Sequence, residues 1–107
     1  MKPTIERRDK IVLLGKGRWF ASSKAQCWEE DTYWDGRNHI SKATGSQWNH
    51  EALWKTAKGV WVLQSWSQWE GSRETWEIVT QKRAHQWLID QGEVNAVPDQ
   101  VWAEGEV

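Results

Sequence analysis

Three histidines, one cysteine and a run of carboxylates are the side chains here that could hold a metal or carry out a reaction. His39, His50, His85 and Cys27, with Glu30, Asp31 and Asp35 nearby, are ligand types. No pair of them stands at a spacing such as CxxC, HxxxH or HExxH. His50 lies in a stretch that reads as a strand, where its neighbours Asn49 and Glu51 point to the opposite face and cannot share an ion with it. No metal site and no cofactor are expected. Asp35, His39 and Ser41 are close in sequence, and local loops do carry active sites. A nucleophile also needs a base in reach and an oxyanion donor, and no motif supplies either. Glu29, Glu30 and Asp31 offer paired carboxylates, but a glycosidase needs a cleft that 107 residues can barely enclose. A solvated acidic loop is the simpler account, and no enzyme is expected, with a small hydrolase as a distant third reading. Cys27 reads as a small buried apolar residue, since the acidic run after Trp28 disfavours a thiolate.

Tryptophan is the unusual resource. There are eleven, against one each of Met, Phe and Tyr. At about 200 Å² apiece they would expose roughly 2,200 Å² if all stood in water. Soluble monomers rarely expose even a few hundred Å² of contiguous apolar surface, so most must be core and about two to four are spare. Each buried indole N–H also wants a partner, which the adjacent Gln, Ser and Asn residues can supply.

Spare indoles have three uses. Trp48, Trp54, Trp61 and Trp69, with Lys42, Lys55, Lys58 and Arg73, could stack and neutralise a single-stranded nucleic acid. Trp66 with Gln64, Gln68 and Asn49 could grip a sugar. Trp and Tyr are also enriched in protein interfaces, and open strand edges can accept a partner's strand. The candidate binding surface is accordingly Trp66, Gln64, Gln68, Tyr33, Trp34, Asp35, Arg37 and Arg73. A net charge of −1 gives no bulk case for nucleic acid or membrane.

Positioning these groups falls first to residues 47–69, QWNHEALWKTAKGVWVLQSWSQW, which read as one long β-hairpin. Lys58-Gly59 suits a two-residue primed turn, because glycine accepts positive φ. Ala57 then faces Val60, and the first face holds Trp48, His50, Ala52, Trp54 and Thr56 against Trp69, Ser67, Ser65, Leu63 and Trp61. The second face holds Asn49, Glu51, Leu53 and Lys55 against Gln68, Trp66, Gln64 and Val62. Residues 10–14 and 18–21 form a first hairpin about Gly15-Lys16-Gly17. The segment near 22–30 reads either as a short helix capped by Ser22 or Ser23, the favoured choice, or as an extension of the strand. An acidic aromatic loop follows through 36, and a loop or edge strand over 37–45. Residues 70–72 turn into a third strand at 74–79, with Trp76 and Ile78 on one side. Thr80 caps a helix over 81–91, whose stripe of Ala84, Trp87, Leu88 and Gln91 is followed by Gly92 at a left-handed C-cap.

Residues 1–18 carry six basic and two acidic groups, whereas 84–107 carry five acidic groups and no Lys or Arg. This divides the chain into a loose basic lead-in (1–9), one α+β domain (10–92) and an acidic tail (93–107) that is disordered or held by Trp102. The expected fold is an antiparallel meander of three to five strands, with the 81–91 helix on its aromatic face. Trp54, Trp61, Leu63, Trp76, Ile78, Trp87 and Leu88 should form the core. A single cysteine fits a reducing cytoplasm, and no apolar run is long enough for a membrane span. The motifs L-W-K-T-x-x-G-x-W-V-L, W-E-I and A-x-x-W-L resemble those of small accessory proteins of bacterial genomes, plasmids and phages. Together these features favour a small intracellular non-enzymatic binding protein acting on a protein partner or by self-association. The alternative is a single-stranded nucleic-acid binder.

Overall fold

The computed structural model describes residues 10–69 and 71–107. The lead-in over 1–9 and Glu70 of the expected turn lie outside them. Strands β1 (Ile11–Gly15) and β2 (Arg18–Ala21) form the first hairpin, followed by a 3-10 turn over Ser22–Lys24. β3 (Gln26–Glu29), β4 (Thr32–Trp34) and β5 (His39–Ser41) come next, then β6 (Asn49–Lys55), β7 (Trp61–Ser67) and β8 (Thr75–Val79). Helix α1 spans Gln81–Asp90 and α2 spans Asp99–Glu104. The α+β antiparallel class is as expected, but among the described residues eight strands in three sheets replace three to five. The main sheet runs β3-β6-β7-β8, with β1-β2 and β4-β5 as separate ribbons. The segment near 22–30 is mostly strand, because Trp28 finds a cross-strand neighbour in Leu53 and packs half-buried against the core cluster.

The central hairpin differs from expectation by one residue. Lys55 pairs with Trp61, and beyond them the Thr56 N–H donates to the Val60 carbonyl at 2.9 Å. Gly59 N–H donates to the Thr56 carbonyl at 2.8 Å, with Gly59 at φ +86°. This is a three-residue loop of Ala57, Lys58 and Gly59, a type I turn closed by a left-handed residue. Thr56 Oγ1 adds an acceptor for Val60 N–H at 3.1 Å, which a two-residue turn would forgo. One extra loop residue turns β7 over relative to β6, because side chains alternate with period two.

Both sheet faces are therefore aromatic. On one, Leu53, Trp61 and Leu63 pack with Ala84, Trp87, Leu88 and Val97, and Trp28, Val79 and Trp102 close the edges. Trp28 and Trp61 lie 5.6 Å apart, and Lys55 Nζ sits 5.1 Å from the Trp61 ring. On the other, Trp54 and Trp76 flank Phe20 of the β1-β2 ribbon at 5.9 and 5.8 Å. Trp54 and Trp76 are thus half-buried under the ribbon, not beneath the helix as expected, and Ile78 pairs with Val62 on that face.

Helix α1 follows its sequence signals. Thr80 Oγ1 accepts from Arg83 N–H at 3.1 Å. At the other end Glu93 N–H donates to Leu88 O and Gly92 N–H to Ile89 O, with Gly92 at φ +75°. That pair of bonds makes a Schellman stop. Residues beyond it fold back through Val97, which is buried, and Trp102, whose Nε1–H donates to Val94 O at 3.2 Å. Since Trp87 sits deepest of the indoles, Trp87→Ala should cost about 3–5 kcal/mol in urea unfolding, and half-exposed Trp54→Ala clearly less. Equal losses would contradict the two-faced packing.

Candidate functional site

The β4-β5 ribbon is a short finger, and its tip is rigid. Asp35 carboxylate accepts from Asn38 N–H at 2.7 Å and Arg37 N–H at 2.8 Å, while Asp35 N–H donates to Asn38 O at 3.1 Å. Those backbone donors, Asn38 first, hold the Asp35 carboxyl below the usual carboxylate range. Asp35 is consequently a turn-former. Trp34, 60% exposed, meets the exposed His39 edge-on at 5.1 Å, and Tyr33 is 46% exposed. Adjacent strand residues point to opposite faces, so each side of the finger presents one aromatic. Arg37 is exposed and makes no ion pair among the described residues.

A polar knot fixes the base of this finger. Glu30 carboxylate accepts from Ser41 Oγ–H and, at 3.1 Å, from Glu51 N–H, and lies 2.5 Å from His50 Nδ1. Ser41 Oγ in turn accepts from Ala43 and Thr44 N–H at 3.1 and 3.2 Å. With Nδ1 bonded to Glu30, His50 leaves Nε2 buried with no partner among the described residues. Lys42 pairs with Asp31 at 2.7 Å and pulls that carboxyl down, helped by Thr32 N–H. Asp31 N–H donates to Gln91 Oε1 at 2.6 Å, which ties the finger to α1. Ser41 is buried on Glu30, His39 packs on Trp34 and Asp35 closes the turn, so the three do not converge as a hydrolase set.

A second feature lies at the open end of the central hairpin. Trp48 and Trp69, 40% and 61% exposed, meet at 5.1 Å and 45°. A separate cleft of about 310 Å³, which neither of them lines, brings Trp66 and Arg73 together with Thr44, Asn49, His50, Ser65, Ser67 and Thr75. Glu51 also reaches it, accepting from Trp87 Nε1–H at 3.2 Å. Partial burial pushes the Glu51 carboxyl up, against the opposing pull of the Trp87 bond and Arg83.

The sequence-chosen residues are therefore split. Tyr33, Trp34, Asp35 and Arg37 share the finger, and Trp66 and Arg73 share the cleft. Gln68 is exposed next to Trp69, its N–H bonded to Trp48 O at 2.9 Å. Gln64 is already committed, accepting from Trp54 Nε1–H at 2.9 Å and donating to Glu74. Trp48, Trp54, Trp61 and Trp69 do not make one stacking platform, because Trp54 and Trp61 are covered on opposite faces. Cys27 is exposed on edge strand β3, not buried, and partial desolvation followed by Glu29 pushes its thiol up. Among the described residues, no group of three or more His, Cys, Asp or Glu could hold a metal and no helix is long and apolar enough to cross a membrane. Set against protein-family models, curated proteins and solved structures, the chain matches none.

Two outcomes follow. Glu30→Ala strands Ser41 Oγ–H and Glu51 N–H, so stability should fall by about 2–3 kcal/mol and hydrogen exchange at residues 39–41 should quicken. For Glu51 the folded state holds a proton more tightly than the unfolded chain, so its ionisation costs stability as pH rises through the folded value. Glu51→Gln should be more stable than the parent near neutrality, and that advantage should vanish as acid protonates Glu51 in both states. Unfolding curves taken across the acid range would show it.

Proposed function

We propose that this chain is a small non-enzymatic binding protein that engages another protein through the β4-β5 finger. Trp, Tyr and Arg are the side chains that dominate interface energetics, and Trp34, Tyr33 and Arg37 stand together on this ribbon. The observation that carries the reading is their exposure on a hairpin whose turn and base are both pinned, by Asp35 and Glu30. A rigid aromatic anchor loses little conformational freedom on binding. A lone free cysteine suits work in a reducing cell interior, as the likeness to bacterial and phage accessory proteins also suggests.

Affinity selection under reducing conditions, read by quantitative mass spectrometry and by sedimentation of the chain alone, tests this. Wild type should retain a discrete partner or a second copy of itself. Trp34→Ala, at an exposed site that leaves the fold intact, should weaken retention by roughly thirtyfold, the effect of losing about 2 kcal/mol at a hot spot. Equal recovery with wild type and variant would dismiss the finger as the binding surface.

A further inference from the structure

We infer that this chain associates head to tail with a second copy of itself. The outer face of one β1-β2 ribbon enters an apolar groove beside α2 of the next chain, at a surface separate from the finger. The ribbon supplies the first observation. Phe20 packs down onto Trp54 and Trp76, so its strand neighbour Trp19 points away from the sheet. Leu13 is the cross-strand partner of Trp19 and stands on the same outer side. The two are 76% and 41% exposed, an apolar couple facing water. Exposed cations surround it, with Lys10 before β1, Lys16 in the turn and Arg18 next to Trp19. None of the three has an ion pair among the described residues, and residues 10–28 contain no Asp or Glu.

The groove is the second observation. Ile89 near the end of α1, with Trp102 and Ala103 on α2 and Gly105 and Glu106 after it, lines a hollow of about 420 Å³. That volume falls in the range of ordinary binding pockets. Its surroundings are acidic. Asp90 follows Ile89, Glu104 follows Ala103, and both are exposed. No Lys or Arg occurs anywhere in residues 84–107 to offset the five carboxylates there.

The two surfaces match in character, an apolar couple against an apolar hollow and cations against carboxylates. One chain cannot join its own pair. The ribbon lies on the Trp54 face of the sheet, whereas Ile89 and Trp102 pack on the cluster that holds Leu53, on the other face. A lipid surface would satisfy the ribbon and leave the groove empty, but a second copy satisfies both. Such a contact is heterologous: every dimer keeps one free ribbon and one free groove, so association continues until a ring closes.

Sedimentation equilibrium of the full chain from about 10 μM to 1 mM, at low and at high salt, tests this. Wild type should associate with a Kd of about 10–100 μM, more weakly at high salt. Leu13→Asp on the ribbon, and Glu104→Lys with Glu106→Lys at the groove, alter exposed side chains. Each variant should weaken association at least about tenfold with an unchanged circular dichroism spectrum. Mixed one to one, the two variants should form a dimer and nothing larger, because each retains the surface that the other has lost. Trp34→Ala should associate as wild type does. The inference is overturned if wild type stays monomeric, if Leu13→Asp associates equally well, or if the mixed variants fail to pair. Loss of association in Trp34→Ala would also overturn it and place the contact on the finger. Uptake of wild type but not Leu13→Asp by phosphatidylserine vesicles, with no self-association in solution, would give the ribbon to a lipid surface instead. Because the finger is read through Trp34 and this contact through Leu13, either surface can fail without the other.

Discussion

A chain with eleven indoles must divide them between interior and surface, and the turn at residues 56–60 makes that division. Thr56 and Gly59 set a three-residue loop, and the loop sets which residues of β7 stand beside those of β6. Leu53, Trp61 and Leu63 then share the face that α1 covers, while Trp54, Val62 and Trp76 share the other. A slip of β7 by one residue would turn Trp61 and Leu63 away from the helix and bring Gln64 under it in their place. Register here is a statement about solvent, since every aromatic contact downstream inherits it.

The smaller ribbons face a different problem. Neither β1-β2 nor β4-β5 carries enough apolar area to stay folded alone, because isolated two-stranded ribbons are marginal in water. The first borrows a hydrophobic contact, with Phe20 wedged between Trp54 and Trp76. The second has only Ile40 to bury and uses Glu30 instead. A carboxylate that accepts from Ser41 and Glu51 N–H and meets His50 joins three segments through strong charge-assisted bonds. The cost is the orphaned Nε2 of His50, a polar atom the network encloses without satisfying.

How much of this was legible depended on range. Helix α1 was readable because Thr80, the Ala84-Trp87-Leu88 stripe and Gly92 are local signals whose chemistry acts within a few residues. The long hairpin was readable as a hairpin, and even the meeting of Trp48 with Trp69 came through, although Gln68 and not Trp69 is hydrogen-bonded to Trp48. Its register was not. Lys58-Gly59 suits either loop length, and the deciding acceptor, Thr56 Oγ1, gives no compositional cue. The finger was missed because Thr32-Tyr33-Trp34 carries acidic neighbours that look like loop. The role of Glu30 was invisible, since it depends on partners eleven to twenty-one residues away. Nor could sequence show that Gln64 was spent on Trp54 or that Arg73 sat with Trp66.

Folding alone does not account for where Trp34 and Trp69 stand. Each is about 60% exposed, and neither belongs to the cluster under α1 or to the contacts of Phe20. A polar residue at either place would leave the packing intact and lower the exposed apolar area. Both are nonetheless held by specific partners, His39 for one and Trp48 with Ser72 for the other. An indole fixed in water loses little conformational freedom if a partner covers it, which is the ground on which the finger is proposed as a binding surface. The finger that carries Trp34 is an aromatic ridge with Arg37 beside it, and its exposed indole is held in place by its own ribbon, through His39, and not by the core.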